Sequence, residues 1–200
     1  IIITFLFGVL ATIPAGYLNH YILTIFGNNN IINNALLSGF FAGGFVEEIL
    51  KFSVLYFYIL KEKEFNEPMD AIVYGVVVSL GFATLENIEY VYFSNHLAEM
   101  SSREIAIIRS FSAIPLHALC GVIMGYYFGE YVFSNNGRFL GYSLIVPIIF
   151  HGTYNFLASF PNIYFLIVVL IALIFSIFLH KQAKIHQRFK IKEKELKNII

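Results

Sequence analysis

Of 200 residues, 58% are hydrophobic and only 13% charged; the formal net charge is zero and the mean hydropathy +0.72. An ordinary soluble domain is excluded by these values, which place the chain in a bilayer. Apolar runs near the twenty or so residues that cross hydrocarbon recur from end to end, and the alternating ten-residue segments of an outer-membrane barrel are absent, so the expected fold class is all-α, a polytopic transmembrane helical bundle.

In chain order, spans are expected at roughly 1–26, 35–60, 69–94, 107–133, 139–160 and 162–180, forming one domain over 1–180 ahead of a basic tail at 181–200. The opening IIITFLFG has neither Met nor a basic leading segment, so it does not read as a cleavable signal peptide, and it leaves room for native residues before Ile1. In the second span Gly39 and Gly43 repeat at four-residue spacing, as Gly121, Gly125 and Gly129 do in the fourth. Stripes of this kind let helices approach closely in lipid and are expected to serve packing. Cys120, the single cysteine, cannot form an internal disulfide and reads as a small packing residue. The tail KQAKIHQRFKIKEKELKNII is expected to continue the last helix as an amphipathic extension along an anionic leaflet. Nothing beyond that tail resembles a nucleic-acid-binding surface, so the expected partners are lipid and membrane protein.

Orientation follows from the basic residues between spans. Lys61, Lys63, Arg138 and the basic residues of the tail fall on one side, and Arg103 stands on the other. The positive-inside rule then makes the C-terminus of this multi-pass cell-membrane protein cytoplasmic.

A charge at the bilayer centre costs about 2.5–3.5 kcal/mol on insertion scales, so charges kept inside spans call for a reason. The second span holds Glu47, Glu48 and Lys51, the third Glu86, Asn87 and Glu89, the fourth Arg109 and His117, and the fifth His151 and Asn155. Counted inward from the outer ends at 1.5 Å per residue, Glu47, Glu86, His117 and His151 lie at a common depth of about 12–18 Å. Glu47 and Lys51, at i and i+4, suit an intrahelical ion pair, which accounts for one carboxylate and not for two. Glu48 points about 100° away around the helix. Glu86 could serve as partner to Lys51 or Arg109, and either histidine as an interhelical hydrogen-bond link. Glu89, His20, His96, His180 and His186 read as interfacial or solvated.

Two histidines and two or three glutamates in a partly hydrated cavity suit water activation: a carboxylate takes the proton, and imidazole or amide groups stabilise the oxyanion. The same set could hold zinc through Glu86, His117 and His151 with a water position open. No HExxH fixes ligand geometry, and the carboxylates outnumber the imidazoles. That balance leans towards a metal-free site driven by glutamate, although spacing alone leaves both routes open.

Glu47-Glu48-x-x-Lys51 is similar to the EExxK motif of the PrsW intramembrane proteases. Phe82-x-x-x-Glu86 is similar to their FxxxE motif, and His117 and His151-x-x-x-Asn155 to their two later motifs. The order, spacing and helix placement agree over roughly 40–160, and the pattern resembles more distantly the CAAX prenyl endopeptidase and bacteriocin-processing group. Two departures favour the PrsW branch: Glu86 stands where the prenyl endopeptidases have His, and Lys51 comes one position earlier than their Arg. The resemblance implies hydrolysis of a peptide bond in a membrane-anchored protein near the extracytoplasmic side, the substrate in known members being a single-span anti-sigma factor in stress signalling. It implies catalytic roles for Glu47, Glu48, Glu86, His117, His151 and Asn155, supported by Lys51 and Arg109. Two other classes fit a polar set at common depth, an ion- or proton-coupled carrier and a catalytically silent receptor, but the inverted repeat common in carriers is not evident.

Overall fold

The computed structural model describes the backbone of residues 1–93, 100–134 and 136–197, with side chains up to Arg188. The position of His96 lies outside the described residues, as do the tail side chains beyond Arg188. The helices are α1 (Ile2–Phe26), α2 (Ile31–Leu36), α3 (Glu48–Phe57), α4 (Pro68–Tyr92), α5 (Ser102–Phe111), α6 (Ala113–Ser134), α7 (Arg138–Ala158) and α8 (Phe165–Lys197). A π-helical segment, Leu37–Glu47, joins α2 to α3, and a 3-10 turn, Ile59–Lys61, follows α3. Among the described residues there is no strand, and the fold is an all-α bundle.

Among the described residues, four stretches are long and apolar enough to cross a membrane: Ile2–Phe26, Pro68–Tyr92, Ser102–Ser134 and Phe165–Arg188. The two other long elements, the α2–α3 rod and α7, are the ones that carry Glu47, Glu48, Lys51, His151 and Asn155. Local chemistry shifts some boundaries from those expected. The second element begins at Ile31, where the Asn30 side chain accepts from the Asn33 backbone N–H at 3.0 Å and caps α2. The fourth begins at Ser102 behind a capping box of Ser101 and Glu104 and breaks at Ser112. Pro115 lies in the first turn of α6, where a missing backbone N–H is tolerated, so the helical ladder restarts just ahead of it. Likewise Pro68 opens α4, behind a capping box of Glu67 and Asp70.

Helix α4 is the central element and α1 and α8 the peripheral ones, their exposed Ile, Leu and Phe side chains forming the surface that faces lipid. The glycine stripes pack as expected. A Cβ on Gly75 would collide with the carbonyl oxygen of Gly121, one on Gly121 with that of Gly75, and one on Gly125 with that of Ala71. The α4 and α6 backbones are therefore in direct contact, and Leu55, Tyr74, Val78, Met124 and Phe128 form the core at one end of that seam. Cys120 is fully buried beside Leu116, Tyr154 and Ala172, the packing role its sequence suggested. Gly121→Leu should lower stability by at least about 1–3 kcal/mol, the usual cost of overpacking. Gly141→Leu, where an added Cβ meets open space, should leave the midpoint of thermal unfolding in detergent near wild type.

The last helix runs without interruption through Lys197. His186 is exposed, as expected, and also donates from Nδ1 to Oε1 of the buried Glu130 at 2.7 Å, and Gln187 bonds to Glu67. Both contacts tie the extension of α8 to the ends of α6 and α4.

Candidate active site

The site is assembled by two close helix approaches at glycines and one helix break. Gly43 and Gly44 in the π-helical segment face α7: a Cβ on Gly43 would collide with the amide of Asn155, and one on Gly44 would lie 3.0 Å from the Ile148 carbonyl oxygen. This seats Glu47 and Glu48, at the junction of the π-helical segment and α3, against His151. The α4–α6 glycine seam brings Glu86 to His117. The break at Ser112, whose Oγ accepts from the Tyr154 hydroxyl at 2.9 Å, aims α5 so that Arg109 reaches α4.

The polar groups converge as their common depth suggested. Glu48 and Lys51 are wholly buried, and Glu47, Glu86, His117 and His151 are nearly so. Lys51 Nζ donates to Glu48 Oε1 at 2.8 Å and lies 3.7 Å from Glu47 Oε2. The expected ion pair of Lys51 with Glu47, four residues earlier, is thus present, and a closer one forms with Glu48, three residues earlier. Positions three and four residues before a lysine both lie on its face of the helix, and Glu48 opens α3. Lys51 also lies 4.3 Å from the centroid of the Phe82 ring, a cation–π contact.

An ammonium only donates, so the contact of 2.9 Å from Lys51 Nζ to His117 Nδ1 makes Nδ1 the acceptor. His117 then carries its proton on Nε2 and donates to Glu86 Oε2 at 2.8 Å. The same Glu86 oxygen accepts from Arg109 Nη2 at 2.9 Å, so Arg109, and not Lys51, is its cationic partner. Around the second histidine the tautomer is reversed. His151 Nδ1 donates to Glu48 Oε1 at 2.7 Å, which leaves the Nε2 lone pair 3.8 Å from Glu47 Oε2. The two imidazoles meet edge to face with centroids 4.8 Å apart. Glu47 Oε2 and Glu48 Oε2 are buried side-chain oxygens without a hydrogen-bond partner.

Seven of the eight residues singled out in the sequence therefore form one connected cluster: Glu47, Glu48, Lys51, Glu86, Arg109, His117 and His151. Asn155 is on the same helix as His151 and packs against Gly43. Three participants were not assigned a part from sequence. Asn19 on α1 reaches Glu47 Oε1 at 3.5 Å, Asn87 accepts from Arg109 Nε at 2.6 Å, and Tyr90 lies beneath the Arg109 guanidinium at 3.8 Å. An amide in an otherwise apolar first span was the available signal for Asn19.

Ligand atoms of Glu47, His117 and His151 all lie within 4.8 Å of one another. This trio suits a metal ion in its chemistry: two imidazoles, one carboxylate with an orphaned oxygen, and an Nε2 lone pair fixed by the carboxylate behind it. It contains Glu47 where the sequence pointed to Glu86. His117 is engaged at both nitrogens and would join such a set through Nδ1 by releasing Lys51, or through Nε2 by passing its proton to Glu86.

The fold and the cluster define a polytopic membrane protein with an enclosed acid–base centre contributed by several helices. A family profile described as PrsW family intramembrane metalloprotease matches residues 1–180. Protease PrsW of Geobacillus kaustophilus is 39% identical over 155 residues, covering 76% of this chain and 64% of the relative. Protease PrsW of Bacillus subtilis is 36% identical over 159 residues, covering 78% and 68%, and that of Halalkalibacterium halodurans 36% over 168 residues, covering 83% and 73%. The chain belongs to the PrsW family of intramembrane metalloproteases. It spans about two thirds of the length of these curated relatives. No solved structure matches it.

Proposed function

We propose that this chain is an intramembrane endopeptidase that hydrolyses a peptide bond of a membrane-anchored protein near the extracytoplasmic side. The observation that carries the reading is the unpartnered Glu47 Oε2 beside the His151 Nε2 lone pair in a buried centre. Glu47 takes the proton of the attacking water, and His151 holds that water from the other side. Glu48 fixes the tautomer of His151, and Glu86, held by Arg109, fixes that of His117. Lys51 neutralises Glu48 and leaves Glu47 the less committed carboxylate. Asn155, four residues after His151 and therefore on the same helix face, is assigned as amide donor to the developing oxyanion.

The roles given to Glu47 and His151 apply to a site without metal. Glu47, His117 and His151 are also the residues that would hold zinc, which when bound supplies Lewis acidity and lowers the pKa of water. Glu47 and His151 would then serve as ligands in place of proton acceptor and water holder. The carboxylate count alone leaned towards a metal-free site. The donor trio and the description of the family favour a metal. The positive-inside bias and the depth of the cluster support outward access, and the family resemblance supports a single-span anti-sigma factor as substrate. Purified protein added to native membranes lacking it should generate new N-termini, mapped by mass spectrometry to the outer ends of substrate spans. Elemental analysis should find stoichiometric zinc, with cleavage lost on chelation and restored by zinc. Cuts at the cytoplasmic ends would overturn the proposed access, and full activity without metal would overturn the metal assignment.

A further inference from the structure

Helices α1 and α4 run side by side in the same direction and touch closely along one part of their length. A Cβ on Gly8 would collide with the carbonyl oxygen of Val78 and one on Gly81 with that of Phe5, while Thr12 Oγ1 donates to the Phe82 carbonyl at 3.2 Å. Beyond Thr12 a cavity of about 290 Å³ lies between them, lined on α1 by Asn19 and His20, on α4 by Glu86 and Glu89, and including Glu47. A second cavity, of about 460 Å³, shares Thr12, Gly16, His20, Glu89 and Phe93 with the first. It also takes in Ile13 and Tyr17, both exposed on the outer face of α1, so the pair of cavities makes a groove from that face to the buried carboxylates.

Two features of α1 distinguish this groove from loose packing. Gly8 is held against α4 by backbone contact, but nothing lies within 4 Å of a Cβ added at Gly16, which lines both cavities. Gly16 therefore keeps a passage open and makes no helix contact that needs a glycine. Asn19 is the second feature. Its Nδ2 points to Glu47 Oε1 at 3.5 Å, and its Oδ1 is buried with no hydrogen-bond partner. A buried amide oxygen left unpaired is costly, and a ligand that donates to it recovers that cost.

We propose that the groove between α1 and α4 is the binding channel for an extended segment of a membrane-protein substrate, entering sideways from the bilayer and held by its backbone N–H at Asn19 Oδ1. The inference rests on the peptidase reading above and adds the route and the form of the substrate to it. A helix of about 10–12 Å diameter has its N–H groups already bonded within itself, whereas an extended segment presents free donors along its edge. The polar wall suits such donors, because Asn19 Oδ1 and the carboxylates of Glu47, Glu86 and Glu89 are all acceptors. Apolar side chains of the same segment would lie against Leu85, Ile88 and Phe93.

The test uses the full chain in liposomes with membrane proteins of a native host lacking it, and new N-termini are counted by mass spectrometry. Gly16→Phe should reduce cleavage at least tenfold with thermal unfolding near wild type, while Gly141→Phe, at a position where an added Cβ likewise meets nothing within 4 Å but outside the groove, should cleave normally. A photo-crosslinking residue at position 16 in a Glu47→Gln background should capture the same proteins that the wild type cuts, and one at position 141 should not. This arm carries the test if Gly16→Phe does not fold. Asn19→Ala should raise KM more than it lowers kcat, with partial rescue by Asn19→Gln. Wild-type cleavage by Gly16→Phe, or no capture of the cut proteins from position 16, overturns the groove while leaving the peptidase intact. Absence of any new N-terminus with wild-type protein overturns both.

Discussion

Glu47→Gln is expected to abolish peptide-bond cleavage, by about 10²–10⁴-fold or more, while the protein remains folded in detergent. The isosteric amide keeps the volume at the end of the π-helical segment and can still accept from Asn19, but it can neither take a proton from water nor offer a metal ion a carboxylate. Glu47 is not the close partner of Lys51, so its replacement strands no ammonium. Glu48→Gln should also lose activity, but with a clear fall in unfolding midpoint, because Glu48 Oε1 accepts from both Lys51 and His151. Cleavage rate and thermal midpoint measured on the same preparations separate the two carboxylates. An active Glu47→Gln protein would exclude Glu47 both as the proton acceptor and as a metal ligand.

Much of this site is legible in the sequence because burial of charge in lipid is expensive. Carboxylates, imidazoles and cations that recur at one depth on separate helices have few ways of being satisfied except by each other, and depth is readable from helix rise. The glycine stripes were legible for a similar reason, since a residue without a side chain in an apolar span marks a close approach. What stayed hidden was rotational phase. Three- and four-residue spacings put both Glu48 and Glu47 within reach of Lys51, so spacing alone does not rank the two carboxylates. The choice of Arg109 as partner for Glu86 depends on the break at Ser112, which sets the direction of α5. Asn19 was missed because one amide in an apolar span has no periodic partner to point to it; only the approach of α1 to the π-helical segment reveals its contact with Glu47.

Lys51→Met is expected to produce the largest loss of stability, about 3–5 kcal/mol. The Lys51 side chain is wholly buried and its ammonium holds two groups at once, the Glu48 carboxylate at 2.8 Å and His117 Nδ1 at 2.9 Å. Methionine fills similar volume against the Phe82 ring but leaves the wholly buried Glu48 charge opposed only by the neutral His151 N–H. The same reasoning predicts non-additivity. Adding Glu48→Gln removes the stranded charge, so the double variant should recover part of the loss, with a coupling of about 0.5–3 kcal/mol between the two sites. Denaturant unfolding of the wild type, both single variants and the double variant in one detergent measures that coupling. Simple additivity would show that Lys51 acts through packing and that the Glu48 charge is satisfied by other groups. A recovered fold without recovered cleavage would place Lys51 in support of the catalytic geometry, through the tautomer it imposes on His117 and the freedom it leaves to Glu47.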